Sequence, residues 1–406
     1  MSLFAAPPTP PPSVEAGAAA ALLSTASGPS RLNQLGFDSV LFSHIPPFPP
    51  PPTLHNQLSN MSASMFNSPL KRLLASPYTT SPPASRRAFS TTLPRDATWG
   101  FIGLGQMGYP MARNLRSKIP QSDTLIICDA NPKATQQFVQ EQPSSLKVEV
   151  ATSPQQVALE SETIITSLPE PRHVKDVFHI ILKGGLPKLP SGKDRLFIDC
   201  STIDPTSSRE VANAVHCTGA GKFVDAPMSG GVVGAKAGTL TFMLGASSKV
   251  PGLAQRAEEV LLLMGKKVWH LGEQGAGLSG KLANNYLLAI QNIATAEAMN
   301  LGIRWGLDAK TLGQMINSST GRSWSSEVNN PVPGVVETAP ASREYAGGFG
   351  VSLMKKDLRL AVEAAKEAGT PLKLAEKAQQ VYKETEEGYP GKDFSVVYKY
   401  LKDMSR

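Results

Sequence analysis

The stretch Trp99-Gly100-Phe101-Ile102-Gly103-Leu104-Gly105-Gln106-Met107-Gly108 carries a short apolar run into a turn with glycines at 103, 105 and 108. A segment with a helical pattern, residues 110–118, leaves that turn. The prediction is strand, tight turn, helix. Gly103 permits the turn, Gly105 lets a pyrophosphate approach the backbone, and Gly108 lets helix and strand pack closely. The free N–H groups at the start of the helix add partial positive charge. Gly103, Leu104, Gly105, Gln106, Met107 and Gly108 are therefore the candidate phosphate cradle. A second apolar run, Leu125-Ile126-Ile127-Cys128, ends at Asp129, about twenty residues past the last glycine, where a ribose-binding acid is expected. An ionised Asp129 accepts ribose hydroxyls and repels a 2′-phosphate, which favours NAD over NADP. Lys133 counts the other way.

The pattern continues past Asp129. Asn131 is placed to cap a helix whose first residue is Pro132. Strands are predicted at 148–151, 163–168, 195–200, 222–227, 240–244 and 267–271, with helical segments between them and a Gly/Pro/Lys-rich surface loop at 183–193. From Gly277 the pattern changes. One long helical stretch covers 278–305, and further helices are predicted at 309–316, 353–368, 372–386 and 394–404. The expected fold class is α/β: an N-terminal Rossmann-type doubly wound parallel sheet, residues 96–273, followed by an all-helical C-terminal domain, residues 274–406, joined by a long helix. The site is expected where the carboxyl ends of the strands face that second domain.

Residues 1–95 read differently. They hold half of the 34 prolines and three of the 34 glycines, with few large apolar side chains. Such a segment is expected to be disordered, because it buries too little surface to offset its chain entropy. Residues 61–95 contain Lys71, Arg72, Arg86, Arg87 and Arg95, many Ser and Thr, and no Asp or Glu. This is the composition of a mitochondrial transit peptide, placed at about 61–90, with Arg87-Ala88-Phe89-Ser90 resembling a processing site. Location in the mitochondrial matrix is expected, with translation starting at Met61 or Met65 and 1–60 an extension of the gene model.

The formal charge is +7, but the basic residues are scattered and form no stripe interleaved with aromatics. A nucleic-acid partner is therefore not expected, and the charge suits an anionic cofactor and substrate. The three cysteines, 128, 200 and 217, show no CxxC spacing, and the six histidines form no ligand pattern, so neither a disulfide framework nor a metal is expected. No apolar run approaches membrane-spanning length, so no membrane partner is expected.

Three further constellations stand out. Asp225-Ala226-Pro227-Met228-Ser229-Gly230-Gly231 closes a strand with a Ser-Gly-Gly turn. Taken locally it is an ordinary loop; functionally it is a carboxylate cradle of bare N–H groups plus the Ser229 hydroxyl. Asp199-Cys200-Ser201-Thr202 sits at another strand end, within reach of substrate or cofactor. Lys281 and Asn285 are i, i+4 on the long helix, beside a second asparagine, Asn284. A helical lysine is ordinarily solvated, yet two poor helix formers in an apolar helix imply polar contacts. An ammonium and an amide aimed together at a cleft can hold one alcohol or carbonyl oxygen. Lys355-Lys356-Asp357, by contrast, reads locally as a solvated charge cluster.

Together these segments resemble the β-hydroxyacid dehydrogenase family over essentially all of 98–406. The resemblance rests on the glycine turn, Asp225 to Gly231, Gly234-Ala235-Lys236-Ala237-Gly238-Thr239, and the Lys281…Asn285 segment. Asn330-Pro331-Val332-Pro333-Gly334-Val335, Gly347-Gly348-Phe349-Gly350 and Lys392-Asp393-Phe394-Ser395 look like the isobutyrate-oxidising branch rather than the glyoxylate- or tartronate-reducing ones. The resemblance implies that Lys281 is catalytic, that Asn285 is a substrate ligand, and that Ser229, Gly230 and Gly231 bind a carboxylate. Leu168, Pro169, Thr202, Phe349 and Lys356 would line the cofactor site, with Asp357 nearby. The implied activity is NAD-dependent oxidation of 3-hydroxyisobutyrate to methylmalonate semialdehyde, a step of valine breakdown, by a homo-oligomer. The alternatives are an NADPH-dependent reductase of glyoxylate or succinic semialdehyde and a non-catalytic dinucleotide-binding relative. Asp129 disfavours the first and Lys281 the second. Gly280 departs from the family, where alanine is usual, and a glycine there costs roughly 1 kcal/mol of helix stability.

Overall fold

The computed structural model describes residues 96–189 and 191–404. The expectations for the leader, residues 1–95, lie outside the described residues.

Nine strands form one sheet among the described residues: β1 (Thr98–Ile102), β2 (Thr124–Cys128), β3 (Val148–Val150), β4 (Thr163–Thr166), β5 (Leu196–Asp199), β6 (Lys222–Asp225), β7 (Met228–Ser229), β8 (Leu240–Gly245) and β9 (Gly265–Gly272). The order β3-β2-β1-β4-β5-β6 is parallel throughout, and β8 then runs antiparallel to β6 and β7 and parallel to β9. The chain reverses its direction of travel across the sheet between β1 and β4, which opens the crevice where such sheets bind ligands.

Alternation along the strands explains why both faces are covered. Phe101, Leu125, Ile127, Ile165, Leu196, Ile198 and Val224 enter one core, and Ile102, Ile126, Ile164, Phe197 and Phe223 the other. Successive side chains point to opposite faces, so strands buried on both sides read as continuous apolar runs. The covering helices are α1 (Gly108–Lys118), α2 (Pro132–Gln140), α3 (Pro154–Glu160), α4 (Pro171–Leu182), α5 (Pro205–Cys217), α6 (Gly231–Ala237) and α7 (Leu253–Leu261). Helices α2 to α5 each begin with proline, and Asn131, Ser153 and Asp204 cap three of them with their side chains.

The 29-residue α8 (Ala276–Arg304) leads out of the sheet into a helical core. There it packs with α9 (Ala309–Ser318), α10 (Trp324–Glu327), α11 (Val351–Glu367), α12 (Ala375–Gly388) and α13 (Val397–Met404) around Met299, Leu312, Met354, Leu358, Tyr382 and Phe394.

One strand, β7, and two helices, α6 where a glycine loop is expected and α10, fall outside the predicted elements. The Ser-Gly-Gly turn is the short strand β7 followed directly by α6. Its glycines hide a helical turn that closes at Gly238 in the left-handed region. Helix α7 carries its own signal, since Leu253, Ala257, Val260 and Leu261 are buried at helical spacing. The segment predicted as one helix over 394–404 opens with a 3₁₀ turn, Phe394–Val396, capped by the Asp393 side chain.

Candidate active site

The glycine turn has the geometry its spacing predicts. Gly103 has φ +98°, and a Cβ there would lie 2.3 Å from the Ser167 carbonyl oxygen. A Cβ on Gly108 would lie 1.9 Å from the Gly103 carbonyl oxygen, so only glycine lets α1 start this close to β1. Gly105 is the opposite case: nothing stands within 4 Å of where its Cβ would be, and Gly105 and Gln106 are exposed. The α1 N-terminus has no side-chain cap. An uncapped helix start beside an open glycine fits the phosphates of a dinucleotide. Asp129, just past the end of β2, accepts the N–H of Leu104 at 2.5 Å and of Asn131 at 2.7 Å, tying this acid to the turn.

The ends of β4 and β5 are tied together. Buried Asp199 accepts the hydroxyls of Thr166 (2.7 Å) and Ser201 (2.6 Å), and Ser201 Oγ accepts the N–H of Leu168 (2.8 Å). Burial pushes the Asp199 carboxyl up, against the pull of the Ser201 and Thr166 bonds. Lys356, reaching in from α11, donates to the carbonyls of Thr202 (2.9 Å) and Pro169 (3.1 Å) and lies 3.4 Å from Asp357. Lys356 is thus a half-buried tether between the two halves, not the solvated cluster that local sequence implies. Beside it Arg359 pairs with Glu170, which starts α4 from the other side.

Lys281 and Asn285 lie on the first turns of α8, 7% and 2% exposed. Lys281 Nζ donates to Ser229 Oγ at 3.2 Å. Asn285 Nδ2 donates to Asp357 Oδ2 at 2.7 Å, and Asn285 Oδ1 accepts from Asn284 at 3.1 Å. Burial pushes the Lys281 ammonium below the ordinary lysine range; Asp357 opposes this and Lys356 adds to it. Gly230 (φ 126°) and Gly231 (φ 58°) follow Ser229 in backbone conformations that favour glycine, and the space where a Gly231 Cβ would sit is empty. Ser229, Gly230, Gly231, Lys281, Asn285 and Lys356 thus meet between the sheet edge and the helical core. Phe349 stands apart from that group: its ring packs on Phe394, and its N–H bonds Asp393.

Gly280 has a structural reason. A Cβ there would lie 2.2 Å from Leu271 Cδ1, so the side chain at the end of β9 occupies the space alanine would need. Two residues of the site take roles that the sequence reading did not specify. Asp357 orients the Asn285 amide, and its signal was its place beside Lys356. Asp225 caps α8, and its signal was the strand-ending acid of the Asp225 to Gly231 segment.

Residues 98–272 match the family model described as the NAD-binding domain of 6-phosphogluconate dehydrogenase. Residues 275–401 match the one described as NAD-binding of NADP-dependent 3-hydroxyisobutyrate dehydrogenase. The mitochondrial 3-hydroxyisobutyrate dehydrogenase of Rattus norvegicus is 46% identical over 305 residues, 75% of this chain and 87% of its own length. The chain belongs to the 3-hydroxyisobutyrate dehydrogenase family. The human mitochondrial member is 45% identical, again over 75% of this chain and 86% of its own length. The Mycobacterium tuberculosis 3-hydroxyisobutyrate dehydrogenase solved with L-serine superposes with a TM-score of 0.68 at 36% identity, covering 76% of this chain and 99% of its own. The cofactor of this chain is a nicotinamide dinucleotide. Among the described residues no His, Cys, Asp and Glu cluster fits a metal, and no helix is long and apolar enough to cross a membrane.

Proposed function

We propose that the chain oxidises 3-hydroxyisobutyrate to methylmalonate semialdehyde, with NAD as the preferred cofactor. The reading is carried by the buried Lys281 amine bonded to Ser229 Oγ, with the Asn285 amide one turn further along α8. The names of the rat and human relatives point to the same substrate.

Gly103 to Gly108 would hold the pyrophosphate and Asp129 the adenine-side ribose. Leu168, Pro169, Thr202 and Lys356 border the nicotinamide end, and Phe349 is assigned there on family resemblance alone. A bound nicotinamide would supply the acceptor for the hydride of the primary-alcohol carbon. Ser229 accepts from Lys281, so its own O–H is free to donate to the substrate carboxylate together with the Gly230 and Gly231 amides. Asn285, held by Asp357, fixes the hydroxyl oxygen. Lys281, with its depressed pKa, takes the hydroxyl proton and as an ammonium then polarises the carbonyl oxygen. Preference for NAD rests on the Asp129 carboxylate; the description of the second matched model, which names an NADP-dependent enzyme, is the reason to test it. Purified protein assayed with NAD and NADP against a panel of 3-hydroxy acids tests the proposal: turnover of 3-hydroxyisobutyrate below background, or a preference for NADP, rejects the corresponding part.

Location in the mitochondrial matrix rests on the basic, acid-free stretch 61–95 and the mitochondrial names of the relatives. Matrix protection from added protease after import checks it. A homo-oligomer is supported by a stripe on α8. Ala283, Leu287, Ala294, Ala298 and Leu301 are exposed at helical spacing, ending at Trp305, which is 73% exposed.

A further inference from the structure

Asp225 closes β6 with no exposed surface. Its Oδ1 accepts the N–H of Gly275 at 2.6 Å, and its Oδ2 accepts that of Leu278 at 2.9 Å. Gly275 immediately precedes α8 and Leu278 lies in its first turn; the helix has no side-chain cap of its own. The capping acid therefore comes from a strand fifty residues away in sequence. Glycines make room for it on two sides. A Cβ at Gly245 would lie 2.4 Å from Asp225 Oδ1, and one at Gly277 would lie 2.1 Å from the Met243 carbonyl oxygen and 2.8 Å from Asp225 Oδ2. Four residues past Asp225, Ser229 accepts from Lys281, which is three residues past Leu278. The short segment 225–229 thus grips α8 at two points, at its start and at the amine.

We propose that Asp225 is a positioning residue for Lys281: by fixing the first turn of α8 to the end of β6, it sets where the amine stands against Ser229. This rests on the reading of Lys281 as the proton-transfer group. Two charge-assisted bonds to a helix N-terminus form a stiff joint, because the carboxylate also complements the helix dipole. A small displacement of that joint carries Lys281 with it, and misplacement of about 1 Å is enough to cost roughly a hundredfold in rate. Burial pushes the Asp225 carboxyl up to about 7, opposed by the two N–H bonds and reinforced by Asp199, its paired neighbour on β5. On the alkaline side of that value the carboxylate is ionised and accepts both bonds. The charged groups bearing on Lys281 are Asp357 and Lys356, both from α11.

The test is Asp225→Asn in the full chain, which keeps the shape but turns one acceptor into a donor facing an N–H. Cofactor sites are counted by NAD titration, and kcat per site and the pH dependence of kcat/KM are measured with 3-hydroxyisobutyrate. The expected result is a full count of cofactor sites, kcat per site down at least about tenfold, and the Lys281 limb displaced toward the ordinary lysine range as the amine loses burial. A purely structural role lowers the site count and leaves kcat per site and the limb unchanged; that result overturns the proposal. If Asp225→Asn does not fold, Gly277→Ala pushes on the same turn with the carboxylate intact, and unchanged kcat per site in that variant is equally fatal. A wild type that turns over no 3-hydroxy acid rejects the functional reading by itself. The positioning is then read from the rate of Lys281 acetylation by acetic anhydride, followed by mass spectrometry. A faster rate in the variant supports the proposal, and an equal rate overturns it.

Discussion

Lys281 and Ser229, fifty-two residues apart in sequence, are joined by a 3.2 Å hydrogen bond from the linker helix to the strand end that precedes the Gly230-Gly231 turn. The bond joins the two halves of the molecule beside the Gly230-Gly231 turn.

Replacing Lys281 with methionine is expected to lower kcat by about a hundredfold or more, the usual scale for losing a proton-transfer group. The dissociation constant of the cofactor should stay within about twofold, since the glycine turn and Asp129 lie on other elements. The same variant should be more stable than the wild type. The Lys281 pKa is lower in the folded protein than its ordinary value of 10.5, so the folded state carries a penalty for the charged form. That penalty is full below the folded pKa and vanishes as pH rises to 10.5. The gain in melting temperature should therefore shrink on going from neutral to alkaline pH. A gain independent of pH rejects this account.

Asp129→Asn should reduce the ratio of kcat/KM with NAD to that with NADP by about tenfold or more, because repulsion of a 2′-phosphate is lost. Absolute kcat/KM with NAD should fall as well, since Asp129 also accepts the N–H of Leu104 and supports the turn. Steady-state kinetics with the two cofactors decides it: an unchanged ratio shows that the acid does not discriminate.

Charges placed in the α8 stripe should break self-association. Leu301→Asp and Trp305→Asp replace side chains 48% and 73% exposed, so the fold of the single chain should tolerate them. Light scattering is expected to give a smaller mass for the double variant than for the wild type. A monomeric wild type, or no change of mass, removes the stripe as an interface.

Gly280 and Leu271 should be coupled. In the wild type, Gly280→Ala gains helix propensity but drives its methyl into Leu271, which is 42% exposed and must swing out. In a Leu271→Ala background the same change should stabilise by about 0.5–1 kcal/mol, the intrinsic difference between glycine and alanine in a helix. Denaturant unfolding of the four members of the cycle measures the coupling, and strict additivity refutes it.

The cofactor half was legible because its signals are local. Turn glycines at 103, 105 and 108 and the apolar run ending at Asp129 each report backbone conformation or spacing within one strand–turn–helix unit. The change of pattern at Gly277 announced the helical half for the same reason, as spacing at 3.6 residues is written along the helix itself. Helix α7 is equally local, with four buried positions in its nine residues. The antiparallel pairing of β8 with β6 was not local at all.

By itself, the chain's sequence determined the glycine turn, the strand-end acid and the face shared by Lys281 and Asn285. Tertiary structure alone decided that Lys356 would be a tether rather than a surface charge, that Asp225 would cap a helix fifty residues on, and that Lys281 would lose its water to stand against Ser229. The physical reason is that periodicity and turn chemistry act between near neighbours. Burial of a charge, and the partner that compensates it, exist only once distant segments are packed together.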